Sequence, residues 1–271
     1  MSKYKLLAID MDGTTLTSTK KISPRTAKAI DDLLKRGVHV VTSTGRGINE
    51  LTDYRQEFRN MHYGILISGG LVYDFFNAKP VVAHPVDEEI MMHIIDYGLQ
   101  ERAMVHLLTL KHSVAREIDI QHMADFNMQI YFDMFNRICL RVDDFKQYIR
   151  ENPGEVMKVN LYHRDRPSRD RNLARLKKFD LSISFTERDN LEASPAGVTK
   201  ASGLIELCKF LGVDISETVA VGDGLNDVEI LQTAGLPVAM GNALDEIKKI
   251  SGYVTADNDH DGIAEVIEKF F

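Results

Sequence analysis

The sequence predicts an α/β protein, a three-layer core of parallel strands sandwiched by helices and interrupted by an inserted α+β domain. Two observations predict the core. At both ends of the chain, short apolar runs alternate with amphipathic stretches of helical spacing, the rhythm of a parallel sheet. Polar and acidic residues stand just after those runs, where open parallel sheets bind their ligands. A third observation predicts the insert: from about Val86 to about Thr186 the texture changes to alternating strands and charged or Met- and His-rich helices. The expected division is residues 1–85 and 187–271 for a discontinuous core, and 86–186 for the insert.

Tyr4 to Ile9 is short and apolar, like a strand buried on both faces, and Asp10 sits at its C-terminal end. SPRTAKAIDDLLKRG then reads as a helix, with Ser23 as N-cap, Pro24 at the first helical position and Gly37 as the stop. VHVVTST is a second strand, Ile48 to Phe58 a second helix, and Tyr63 to Ile67 a third strand. In the insert, DEEIMMHIIDYGLQ and RDRPSRDRNLARLKKF read as helices, and ICLRVDD and VMKVNLYH as strands. The parallel rhythm then returns: KASGLIELCKFLG is a helix closed by Gly212, TVAVGDG a strand, DVEILQTAG a helix and LPVAMG a strand.

With 271 residues, 44% of them hydrophobic, the chain can bury a full core. Its formal charge of -7, from 33 basic and 40 acidic residues, argues against general binding to nucleic acid or anionic membranes. Cys139 and Cys208 lie far apart with no metal-binding spacing, so they are expected to be packed free thiols in a reducing compartment. No stretch approaches the roughly 18 apolar residues of a membrane span, and a cytoplasmic location is expected. The nine histidines show no metal spacing, and Met91 and Met92 read as core packing.

LLAIDMDGTTL raises the chemical question, because Asp10 and Asp12 are like charges that need a cation, a proton or a catalytic use. The strand ends bring further polar groups to the same edge: Thr44 and Arg46, Ser68 with Gly69 and Gly70, and Asp223 with Asn226 and Asp227. Such carboxylates, with backbone oxygen, suit Mg²⁺, a hard ion that prefers oxygen ligands. Asp10 is placed both to coordinate the ion and to attack an electrophile as an aspartyl-phosphate nucleophile. Asp12 is placed to protonate the leaving alcohol and later to deprotonate water. Thr44, backbone amides near Met11 and Asp12, and Lys200 at a helix start would hold phosphoryl oxygens. Each residue also has a plainer reading: Asp-Gly is a common turn, and Lys200 alone would be a surface helix residue. Their appearance in order at element ends favours the site.

Taken together, these motifs resemble those of haloacid dehalogenase-superfamily phosphatases, close to the Cof-like branch with a large type-two cap, over essentially the full chain. DMDGT matches the first motif, Thr44 in TSTGR the second, Lys200 the third and GDGLND the fourth. The resemblance implies a Rossmann-like core with an α+β cap that closes over the site. It also implies Asp10 as nucleophile, Asp12 as acid/base, and Asp10, Asp12 and Asp223 as the Mg²⁺ set. Asp227 would orient the metal's waters or Lys200, and Met11, Thr44, Gly45, Arg46, Lys200 and Asn226 would contact phosphate or substrate. For Arg46 an internal salt bridge is the equal alternative. Ser68-Gly69-Gly70 departs from the Asn-Gly-Ala common in this branch. The expected activity is hydrolysis of small phosphorylated metabolites, with sugar phosphates as the leading class, by a monomer or homodimer. The alternatives are a phosphomutase of the same superfamily and a non-catalytic ligand-binding protein on this scaffold.

Overall fold

The computed structural model describes residues 3–185 and 189–271. Two compact units partition the chain. One comprises Met1–Gly45, Asp53–Val82 and Thr199–Phe271, the other Arg46–Thr52 and Ala83–Val198.

The first unit begins with β1 (Leu6–Ile9), α1 (Pro24–Lys35), β2 (His39–Ser43), β3 (Tyr63–Leu66), β4 (Leu71–Asp74) and β5 (Lys79–Ala83). Every residue of β1 is buried, as a strand covered on both faces requires. At the start of α1, the Ser23 side chain accepts from the Thr26 N–H and Pro24 supplies the fixed first-turn φ, while Ile30 and Leu33 face the core.

The second unit contains α2 (Glu88–Gln100), β6 (Met104–Thr109), β7 (Ser113–Ala115), α3 (Glu117–Gln121), α4 (Phe132–Ile138), β8 (Leu140–Arg141), α5 (Phe145–Glu151), β9 (Val156–Tyr162), α6 (Arg166–Leu176), β10 (Leu181–Ser184) and β11 (Asn190–Pro195). Its six-stranded sheet runs β10-β11-β9-β6-β7-β8. One face of that sheet, with Val105, Leu107, Val159, Leu161, Leu191 and Ala193, shares an apolar core with Ile94, Ile95, Ile149 and Leu176. Several alternate positions are polar, and His106 and Glu192 both pair with Asn160 across neighbouring strands. Lys158 is buried in the same unit, with its Nζ 2.9 Å from Glu192 Oε2.

The chain then returns to the first sheet through α7 (Lys200–Leu211), β12 (Thr218–Gly222), α8 (Val228–Thr233), β13 (Leu236–Ala239), α9 (Asp245–Ile250), β14 (Tyr253–Val254) and α10 (Gly262–Phe270). This eight-stranded sheet has the order β14-β13-β12-β1-β2-β3-β4-β5, and β14 through β3 are mutually parallel. Strand order reverses between β1, which leads on to β2 and β3, and β12, which leads on to β13 and β14. Such a switch point opens a crevice at the strand C-termini.

The boundary placed between residues 186 and 187 lies outside the described residues. Two expectations change. The helix expected over Ile48–Phe58 is a 3-10 turn at Ile48–Tyr54. Thr52 Oγ1 donates to Asn49 O, a carbonyl that an α-helix would use, while Gly47 N–H donates to Glu50 Oε2 at 2.6 Å at the start of the turn. The strand expected at ICLRVDD shrinks to Leu140–Arg141, because Ile138 closes α4 and the remainder forms a short edge of the sheet. Cys139 and Cys208 are buried free thiols.

Candidate active site

Asp10 follows β1 directly, and its N–H donates to Val221 O of β12 at 3.1 Å, so the residue stands at the switch point. The next turn folds back on it: Thr15 donates to Asp10 O from both its N–H, at 3.2 Å, and its Oγ1, at 2.6 Å. Gly13 lies in this turn at φ +80, and a Cβ there would fall 2.4 Å from Asp223 Oδ2. Only glycine serves both the backbone conformation and the close approach. Thr14 Oγ1 donates to Asp223 Oδ1 at 2.6 Å, joining the first motif to the loop after β12.

Lys200 arrives from α7. The capping box at its N-terminus, in which Thr199 N–H donates to Ser202 Oγ at 3.0 Å and Thr199 Oγ1 accepts from Ser202 N–H, sets Lys200 at the first helical position. Its ammonium, 1% exposed, donates to Asp10 Oδ1 and to Asp227 Oδ1, each at 2.7 Å. Asp227 in turn accepts the Asp223 and Gly224 N–H groups on Oδ2, both at 3.1 Å. Gly69, at φ +95, packs its backbone on Thr199, where a Cβ would fall 2.0 Å from Thr199 O. Thr44, 2% exposed, is tied to the same ridge, because its N–H donates to Ile65 O and its O accepts from Ser68 N–H.

Carboxylate oxygens of Asp10, Asp223 and Asp227 lie within 4.8 Å of one another. Burial pushes the Asp10 carboxyl up to about 8 against the pull of Lys200, with Asp227 and Asp223 adding to the rise. Burial likewise raises Asp223 to about 6, opposed by the Thr14 hydrogen bond. Burial works against the Lys200 charge, but Asp10 and Asp227 outweigh it and hold its pKa above the ordinary value. Among the described residues, three carboxylates thus gather about the Lys200 ammonium, an all-oxygen donor set that fits a hard divalent cation.

The sequence placed Asp12 with Asp10 and Asp223 in the metal set. The structure brings the Asp227 carboxylate beside Asp10 and Asp223, and the Asp12 side chain accepts from Lys20 at 2.7 Å. Arg46 clusters with the second compact unit, where its Nη1 lies 3.6 Å from Met134 Sδ. Met11 is fully buried, and its carbonyl accepts from Thr14 and Leu16 N–H. Gly45 ends the first stretch of the first unit, and Asn226 is half-buried in the 3-10 turn Leu225–Asp227. Sequence reasoning missed Lys20, as well as Asn242, whose Nδ2 donates to Gly13 O at 2.8 Å. Asn242 lies shortly after β13, so the strand-end rule would have reached it.

Residues 7–267 match the family of haloacid dehalogenase-like hydrolases. The chain belongs to that family. Two Bacillus subtilis relatives of this hydrolase are named 5-amino-6-(5-phospho-D-ribitylamino)uracil phosphatases. YcsE is 30% identical over 97% of this chain and 94% of its own, and YitU 28% identical over 100% and 98%. A haloacid dehalogenase-like hydrolase from Bacteroides thetaiotaomicron superposes with a TM-score of 0.85 at 25% identity, covering 99% of this chain and 100% of its own. This hydrolase is a phosphatase-type enzyme. Among the described residues, no helix is long and apolar enough to cross a membrane.

Proposed function

We propose that the chain is an Mg²⁺-dependent phosphomonoesterase acting on small phosphorylated metabolites through an aspartyl phosphate on Asp10. The observation that carries this reading is the Lys200 ammonium held 2.7 Å from both Asp10 and Asp227 at the switch point. Burial holds the Asp10 carboxyl up even against the pull of Lys200, so a further cation is needed to keep the nucleophile ionised. Asp10 and Asp223, with a main-chain oxygen at Asp12, would hold Mg²⁺, which when bound supplies the missing positive charge and polarises a phosphoryl oxygen. Asp227 keeps Lys200 in place and fastens the loop that presents Asp223.

In the first step an Asp10 oxygen bonds to phosphorus while the ester P–O bond breaks and Asp12 gives its proton to the departing oxygen. In the second, Asp12 takes a proton from water, the water oxygen bonds to phosphorus, and the Asp10–phosphorus bond breaks to release inorganic phosphate. Lys200, Thr44 and the backbone N–H groups after β1 would hold the phosphoryl oxygens in both steps. Phosphorylated sugars or sugar alcohols are the proposed substrate class, on the strength of the two relatives named for a phosphoribityl substrate. We also propose that the protein works in the cytoplasm.

Phosphate release from p-nitrophenyl phosphate tests the chemistry. Activity that needs Mg²⁺, is abolished by EDTA and is absent in Asp10→Asn is expected. Activity retained in Asp10→Asn would contradict it. A panel of sugar and sugar-alcohol phosphates, including the phosphoribitylaminouracil, then orders the substrates by kcat/KM, and product analysis separates hydrolysis from phosphoryl relocation.

A further inference from the structure

We infer that Lys20 is a positioning residue for Asp12, holding through an ion pair the carboxylate that exchanges protons with the leaving group and with water. The inference rests on the phosphatase reading above. Lys20 Nζ donates to Asp12 Oδ1 at 2.7 Å. The lysine is one of the few non-glycine residues in the left-handed region, at φ +59, a conformation that costs free energy in any residue with a Cβ. Local bonds hold it there. Its N–H donates to Thr17 O at 2.9 Å, Thr17 N–H donates to Lys21 O at 2.8 Å, and Tyr54 Oη donates to Lys20 O at 3.1 Å.

Stability does not explain this arrangement. The two side chains are 37% and 36% exposed, and ion pairs that wet add little to folding. A catalytic use does explain it. Lys200 is engaged with Asp10 and Asp227, so the two lysines serve different carboxylates: one the nucleophile, the other the proton carrier. Proton transfer depends on a donor held within reach of the reacting oxygen, and a bond to Oδ1 fixes the orientation of the whole carboxylate. The strained turn is therefore the device that brings an ammonium eight residues along the chain back to Asp12.

The test compares kcat and KM for p-nitrophenyl phosphate, whose leaving group departs with little help from an acid, and glycerol 2-phosphate, whose alkoxide needs protonation. Wild type, Lys20→Met, Lys20→Arg, Asp12→Asn and the double variant Lys20→Met/Asp12→Asn are measured with Mg²⁺. Methionine keeps the Cβ, so the backbone cost at this φ is unchanged. Lys20→Met is expected to lose about tenfold or more in kcat/KM on the alkyl ester beyond any loss on the aryl ester. Lys20→Arg should recover most of that, and Lys20→Met should cost nothing further in the Asp12→Asn background. Equal losses on both esters, a rise in KM alone, a further loss in the Asp12→Asn background or no effect at all would each overturn the inference. Wild-type protein that hydrolyses neither ester would overturn the phosphatase reading, and the inference with it.

Discussion

The raised Asp10 pKa makes the metal-free protein less stable as pH rises, and Asp10→Asn removes the group responsible. Burial lifts the folded carboxyl from 3.8 to about 8. Between those values the folded protein keeps a proton that the unfolded chain has released, so raising the pH favours unfolding. Going from pH 6 to pH 8, with the folded group half-titrated at the upper end, wild type should lose about 2 kcal/mol relative to Asp10→Asn. The variant removes the Asp10 carboxyl together with its Lys200 contact, and the difference reads the net pH dependence of the coupled group. Urea unfolding in EDTA at the two pH values, followed by far-UV circular dichroism because the chain has no tryptophan, gives the four free energies. Saturating Mg²⁺ should shrink the difference, since a metal binds the ionised carboxylates and lowers their pKa values. Parallel pH dependence of wild type and Asp10→Asn in EDTA would mean that the Asp10 carboxyl is not held up, and the electrostatic case for a cation at this site would fail.

Gly69→Ala should destabilise the protein by about 2 kcal/mol or more and lower kcat, because the new Cβ meets Thr199 O at 2.0 Å and disturbs the turn that carries Lys200. Thermal unfolding and steady-state kinetics check the two effects together. Lys158→Met leaves the Glu192 carboxylate buried without its ammonium and should cost about 3–5 kcal/mol in urea unfolding, most of which Lys158→Met/Glu192→Leu should recover. Asp223→Asn is expected to raise the Mg²⁺ concentration for half-maximal activity at least about tenfold, read from a metal titration of phosphate release.

Much of the site could be read because its residues occupy positions with strong local signals. Asp10 ends a run buried on all sides, Thr44 follows β2, and Asp223 follows β12, so the strand-end rule found each without knowledge of the packing. Lys200 sits inside a Thr-to-Ser capping box that marks a helix start. Lys20 escaped because its role comes from a left-handed turn and a hydroxyl contributed by Tyr54, neither of which has a local sequence pattern. The 3-10 turn at Ile48–Tyr54 escaped for a related reason: the Thr52 hydroxyl takes the Asn49 carbonyl on which helical spacing relies. In the second unit, β11 was hidden by Glu192, a charge within a strand that becomes tolerable only beside Lys158 of the neighbouring strand.

The central claim is that Asp10 carries the phosphoryl group, and intact-mass spectrometry of acid-quenched Asp12→Asn tests it most directly. Without its proton carrier the variant should still accept a phosphoryl group from p-nitrophenyl phosphate in Mg²⁺ but should release it slowly. The predicted result is an acid-stable, base-labile mass increase of one phosphoryl group, mapped by peptide analysis to Asp10 and absent from Asp10→Asn/Asp12→Asn. An Asp12→Asn enzyme that turns over at the wild-type rate with no adduct, or an adduct that persists when Asp10 is replaced, would contradict it.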